Sequence, residues 1–196
     1  MDESSSSLTT YSKPTISSLE HEMSEVSPEQ KARIISSIAK NLTELIIENQ
    51  QNIDDIYIRR DIFYLTHEPL FSIEDYIKHI VKYTRMDISS LILAVIYIDK
   101  MCEKEKYVLS FNNINRLILA ACLLSIKFNE DSSFSNVIFA RIGGVSVELL
   151  NKLEYDFYVL MDFSLYVDFV YYQKYFVYFS KCSKLNSSQE ELSIYF

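Results

Sequence analysis

The sequence predicts an all-α fold, and three observations carry that prediction. Only two glycines and three prolines occur in 196 residues. Hairpins draw their tight turns from residues that tolerate positive φ, and no Asn-Gly pair is present. Apolar residues recur at helical spacing, as in Ile34, Ile35, Ile38, Leu42, Leu45 and Ile46. The most apolar runs are also long. Leu91 to Ile98 could by periodicity be a buried strand, but it lies in one continuous stretch from Asp87 to Lys104, about four to five helical turns and too long for an ordinary strand.

The elements follow in order. Residues 1–26 are rich in serine, threonine and acids, too polar to offset the entropy of ordering, and are expected to form a disordered head. Order is expected from Ser27, where Ser-Pro-Glu-Gln offers an N-cap, a proline at the first helical position and Gln30 to close a capping box. The resulting amphipathic helix runs to about Asn49. Gln51 to Leu70 reads as a linker with one short helix, ending at Pro69, so 27–69 forms an N-terminal helix and linker.

From residue 70 to 181 the chain reads as a compact helical unit. Ser72 caps a first helix with Ile73, Tyr76, Ile77, Ile80 and Val81 on one side, and Asp87 caps a second over Leu91 to Met101. Ser110 or Asn112 caps a third, whose stretch from Leu117 to Ile126 is apolar except for Ser125. A helix apolar on all sides must be surrounded, so the second and third are expected at the centre of the unit. A short element from Phe134 to Ile142 is stopped by Gly143, which is expected to supply the left-handed conformation. Ser146 then caps Val147 to about Leu160, and a tyrosine-rich helix covers Asp168 to Lys181. The architecture is therefore five short helices built around one central helix, with an extra N-terminal helix, a C-terminal helix and a weakly patterned tail at 182–196.

Composition excludes several functions. The longest apolar run is about half of what a bilayer span requires, so no membrane association is expected. A net charge of -8 with scattered Lys and Arg argues against nucleic acid as a partner. The acidic, serine-rich start lacks the pattern of a secretory signal, which points to a cytoplasmic or nuclear setting. Cys102, Cys122 and Cys182 are widely spaced and read as reduced, buried thiols.

Parts for catalysis are scarce. His21, His67 and His79 are far apart, no Cys pair has metal-ligand spacing, and Gly143-Gly144 is the only glycine cluster, so neither a dinucleotide fingerprint nor a P-loop exists. The acid pairs Asp54-Asp55, Glu74-Asp75 and Glu130-Asp131 are sequence neighbours, which diverge on a helix rather than converging for acid–base work. No catalytic residue, metal, cofactor or small-molecule substrate is expected, and the chain reads as a non-enzyme.

Three strings carry a family resemblance: LILAVIYIDK at 91–100, NNINRLILAACLLSIKFNED at 112–131 and FSNVIFARIGGVSVELLNKLEYDFYVLMDFSL at 134–165. Together they resemble a cyclin box, and within it the single-box P/U-type (PHO-type) cyclins. The shared features are a YID-basic end to the second helix, a Lys-Phe-acidic exit from the third, a Ser-Asn-x-x-x-Ala-x-x-Gly-Gly turn, and a Leu-Glu-x-x-Phe-x-x-x-x-Asp-Phe fifth helix. The resemblance implies a cyclin-box globule over 70–181 and a regulatory subunit that binds and activates a cyclin-dependent protein kinase. It further implies that Lys127 and Glu154 form the polar centre of the kinase contact, with Phe128, Phe157 and Leu160 as apolar surroundings. Glu130 and Asp131 are a further candidate contact. Without the resemblance, Lys127 could merely complement its own helix dipole and Glu154 could be an ordinary exposed acid. The chain has no tryptophan, so SIEDYIKHIVKYTR at 72–85 lacks the substrate-docking motif of two-box cyclins, and no second box is expected after Phe163. The alternative reading is an all-helical adaptor or transcription-related module of the same fold that binds a partner other than a kinase.

Overall fold

A computed structural model of the chain describes residues 26–51, 60–131 and 135–181. Among these residues there are seven helices and no strand: α1 (Pro28–Gln51), α2 (Ile73–Thr84), α3 (Ile88–Glu105), α4 (Ile114–Asn129), α5 (Asn136–Gly143), α6 (Val147–Leu160) and α7 (Phe169–Lys181). The readings of the serine-rich head, of Phe134 and of the tail with Cys182 fall outside the described residues, as does 52–59 of the linker expected to hold one short helix. Between 60 and 71 the chain is not helical. No helix among the described residues is long and apolar enough to cross a membrane.

Local chemistry accounts for the helix starts. The Ser27 N–H donates to Gln30 Oε1 (3.0 Å) and the Gln30 N–H to Ser27 Oγ (3.2 Å), a closed capping box. The Asp75 N–H donates to Ser72 Oγ and the Leu149 N–H to Ser146 Oγ, which caps α2 and α6 as their sequences indicate. Asp87 occupies the N-cap of α3 without a side-chain cap bond. The start of α4 differs from expectation: the N-cap is Asn113, not Ser110 or Asn112. The Asn113 amide is turned back into the preceding loop, accepting from the Ser110 N–H and donating to the Val108 carbonyl, so it stabilises the approach to the helix rather than its first turn.

The glycine pair divides two tasks between its members. Gly143 is still helical, and Gly144 is the residue with positive φ (68°) that ends α5. Gly143 is required for space: a Cβ there would lie 2.5 Å from both Leu119 methyl carbons in the core of α4. The expectation that Gly143 takes the left-handed conformation is therefore corrected. There α5 leaves no room for a side chain beside Leu119 of the central helix.

Burial defines the architecture. Every residue of α4 from Leu117 to Ile126 is buried, including Ser125, whose hydroxyl donates to the Cys122 carbonyl within the helix (2.9 Å). Helix α4 is packed by α3, α6 and α2, while α5 bridges α2 and α6. The apolar stripe of α1 lies against α2 and α7, and α7 also packs on α3. The segment before α2 is tied down by α4: Arg116 Nη1 donates to the Ile62 carbonyl (2.7 Å), and Asn112 exchanges two hydrogen bonds with Leu65. Phe63 is thereby buried edge-on against Phe157, with centroids 6.2 Å apart.

The seam between α3 and α7 contains a partly buried carboxyl, Asp99, which accepts a hydrogen bond from the Tyr175 hydroxyl. Burial raises the Asp99 carboxyl above the usual carboxylate range, partly offset by the Tyr175 donation. A folded-state pKa above the unfolded value means that the native state holds the proton more tightly, so stability falls as pH rises through that interval.

Two predictions follow from this packing. Gly143→Ala should lower the unfolding free energy by about 1–3 kcal/mol through overpacking, whereas Gly144→Ala should cost about 1–2 kcal/mol for the left-handed backbone alone; urea midpoints measure both, and only the first penalty should shrink when Leu119 is shortened to Val. Tyr175→Phe should be more destabilising at pH 7 than at pH 4, close to the ordinary carboxylate value above which Asp99 is shifted, because the charged Asp99 then lacks its donor. Equal losses at the two pH values would contradict it.

Candidate functional site

Among the described residues the features first considered for chemistry are structural. No group of His, Cys, Asp and Glu could hold a metal ion. Burial pushes the thiols of Cys102 and Cys122 up to about 12, which leaves them inert at neutral pH. His79 Nε2 is bonded to the Ile142 carbonyl (3.0 Å), with its ring tilted against Tyr83. The cavity between α1, α3 and α7, lined by Leu42, Val95, Cys102 and Phe179 among others, measures about 40 Å³. That volume admits water but no substrate of drug-like or metabolite size.

The polar feature that stands apart is at the exit of α4. Its last turn carries the chain out of the core, from fully buried Ile126 to exposed Lys127 and Phe128. On α6, Leu150, Leu153 and Phe157 face inward, and Glu154 falls on the flank next to that inward stripe. Lys127 Nζ meets Glu154 Oε1 at 2.6 Å, with the two side chains 35% and 20% exposed. The second carboxylate oxygen, Oε2, accepts from Asn136 Nδ2 (2.9 Å) at the start of α5. Asn136 Nδ2 also donates to Asn151 Oδ1 (2.7 Å), one turn before Glu154 on α6. Three helices therefore converge on one partly exposed ion pair. Lys127 does more than complement the dipole of its own helix, because its ammonium reaches across to α6.

Exposed apolar side chains surround this pair in sequence. Phe128 follows Lys127, Val137 follows Asn136, Tyr155 follows Glu154, and all are more than half exposed. Tyr158 lies one turn beyond Glu154 on the same face of α6 and packs edge-to-face with Phe163, ring centroids 5.0 Å apart. Phe163 is held out by an unusual backbone. Asp162 (φ 51°) and Phe163 (φ 58°) are consecutive non-glycine residues in the left-handed region, a conformation that costs of order 1–3 kcal/mol per residue. The Phe163 N–H to the Tyr158 carbonyl (3.0 Å) and the Asp162 N–H to the Val159 carbonyl (2.9 Å) close the turn. Lys104 of α3 secures it by an ion pair with Asp162 and a hydrogen bond to the Leu160 carbonyl.

The residues named from sequence are distributed as follows. Lys127 and Glu154 are brought into direct contact, and Phe128 stands exposed beside them. Leu160 is partly buried and packs against the core. Phe157 is a correction: it is fully buried against Phe63 and supports the site from below instead of forming its surface, because it shares the inward stripe of Leu150 and Leu153. Glu130 accepts the Asp87 N–H (3.0 Å) and so fastens the start of α3 to the end of α4. Asp131 is exposed at the same exit. Asn136, Asn151, Tyr158 and Phe163 are additions. The Ser-Asn pair signals a helix start in sequence, but its reach to Glu154 depends on how α5 meets α6.

A family model for cyclins matches residues 2–165. Cyclin-U2-1 of Arabidopsis thaliana is 29% identical over 146 residues, covering 72% of this chain and 66% of that protein. Cyclin-U3-1 of the same plant is 38% identical over 100 residues, 51% of this chain and 45% of that protein. Cyclin-P3-1 of Oryza sativa subsp. japonica is 29% identical over 138 residues, 69% of this chain and 58% of that protein. The chain thus spans between about half and two thirds of the length of these relatives.

The partial exposure of the ion pair sets its expected contribution to stability. Lys127→Ala and Glu154→Ala should each change the unfolding free energy by about 1 kcal/mol or less, as read from chemical denaturation. A loss of several kcal/mol would identify the pair as a strut of the fold.

Proposed function

The chain belongs to the cyclin family, to its P/U type, and on that premise we propose that it is a regulatory subunit that binds and activates a cyclin-dependent protein kinase. The observation that carries the proposal is the Lys127–Glu154 pair, 35% and 20% exposed at the meeting of α4, α5 and α6, with exposed Phe128, Val137 and Tyr155 next to its residues in sequence. In this reading the cyclin box spans 70–181, and α1 is an added packing element that braces α2 and α7.

The mechanism needs no bond chemistry from this chain. A protein kinase is active when the glutamate on its mobile helix pairs with the active-site lysine and its activation segment is ordered. A partner that binds only this arrangement shifts the population toward it. The Lys127 ammonium has three donors, one of them used by Glu154, so two are left for backbone carbonyls of the kinase. The Glu154 carboxylate retains acceptor capacity for N–H groups, and charge-assisted hydrogen bonds of this kind are the strong ones. Phe128, Tyr155 and Phe163 supply apolar area around that polar centre. The strained turn at 162–163 keeps Phe163 available in the free chain, so little ordering is left for the encounter. Such a subunit would act in the cytoplasm or the nucleus.

Affinity purification from native extract should recover a cyclin-dependent kinase whose activity rises on addition of the chain. Replacing Lys127 and Glu154 together by Ala should weaken binding by roughly a hundredfold or more, since each charged hydrogen-bonding group contributes about 1.5–3 kcal/mol. Phe163→Ala should weaken it about tenfold. Recovery of scaffold or polymerase components without a kinase would favour an adaptor of the same fold.

A further inference from the structure

The role of Asn136 is not explained by helix formation alone. It is the first residue of α5, and the cap of that helix is supplied by its neighbour: Ser135 Oγ accepts from the Val137 N–H (3.3 Å), and the Ser135 carbonyl accepts from the Ile138 and Phe139 N–H groups (3.0 Å each). The Asn136 side chain points instead at α6. Both hydrogens of its amide are assigned there, one to Glu154 Oε2 at 2.9 Å and one to Asn151 Oδ1 at 2.7 Å. An asparagine amide has two donors on one nitrogen, and the pair of acceptors on α6 uses both. That double engagement fixes which way the amide faces.

We propose that Asn136 is a positioning residue for Glu154: its amide, oriented by Asn151, fixes the plane of the Glu154 carboxylate so that the carboxylate is presented to the kinase already ordered. The proposal rests on the reading of Lys127 and Glu154 as kinase anchors and deepens it. Lys127 alone holds one carboxylate oxygen with a flexible, rotatable ammonium, which leaves the carboxylate free to turn about that contact. A second donor on the other oxygen removes that freedom before the partner arrives, and preordering of this kind increases affinity without any new contact to the partner. Neither Asn136 nor Asn151 has to touch the kinase for this to operate.

Asn136→Asp separates the positioning role from a structural one. The replacement is nearly isosteric, and an acid in the first turn of a helix is favourable. If Asn136 served only α5, the variant would match or exceed the wild type in both Tm and kinase affinity. As a positioning residue it would set a carboxylate against Glu154, and like charges at such a distance repel. The full chain and the cyclin-dependent kinase that co-purifies with it are the materials, with Kd measured by calorimetry. The expected result is a Tm within about 2 °C of the wild type or above it, with Kd raised roughly tenfold or more. In a Glu154→Gln background the same substitution should change Kd less than twofold, since the repulsion is gone and the two sites are coupled only through it. An unchanged Kd for Asn136→Asp would overturn the proposal, as would equal losses in both backgrounds or a loss that tracks a falling Tm. Failure of the wild-type chain to recover any kinase would instead remove the kinase reading itself, and this inference with it.

Discussion

Complete burial of α4 is the constraint on which the rest of the structure depends. A helix that is apolar around its whole circumference cannot tolerate water on any side, so α2, α3 and α6 must pack against it. Where α5 crosses toward it, the space is so restricted that only a glycine fits over Leu119. The loop before α2 is pinned to the same helix by Arg116 and to the turn before it by Asn112. Ser125, buried within this helix, is satisfied locally by the Cys122 carbonyl, whereas Asn115 Nδ2 and Arg116 Nε are buried without a partner among the described residues.

The same constraint creates the candidate site. A buried helix has to end somewhere, and α4 ends by passing from Ile126 to Lys127 in a single residue. The first charge after the core is therefore held at a fixed height above it, with the flank of α6 beside it. The ion pair formed there stays partly exposed, with the two side chains 35% and 20% exposed. The backbone strain at Asp162 and Phe163 has a similar logic. It is maintained by Lys104 on α3 and by hydrogen bonds at the end of α6, and the Phe163 ring at its end is exposed.

Much of this was legible in the residue pattern. Capping serines at 27, 72 and 146 place three helix starts because an N-cap bond is local and reads directly from sequence. The errors lie where local signals compete. Asn113, Asn112 and Ser110 are all competent caps, and the choice among them depended on which amide could reach back to Val108. Gly143 and Gly144 are equivalent in sequence, and only the proximity of Leu119 assigns one to space and the other to φ. Phe157 looked like a surface contact because its neighbours Glu154 and Leu160 are close in sequence, yet its helical phase sets it with Leu150 and Leu153.

By itself the sequence determined the fold class, the helix order, the central position of the third box helix and the pairing of Lys127 with Glu154 as residues to consider together. Helical periodicity, capping chemistry and the scarcity of glycine are properties of neighbours along the chain, and family motifs are strings of such neighbours. Only the tertiary structure decided that Asn136 and Asn151 complete the ion pair, that Phe163 stands out from a strained turn, and that α1 lies between α2 and α7. These depend on the relative placement of helices separated by loops. That placement is set by how side chains interlock across the core, a collective outcome that no local stretch of sequence encodes.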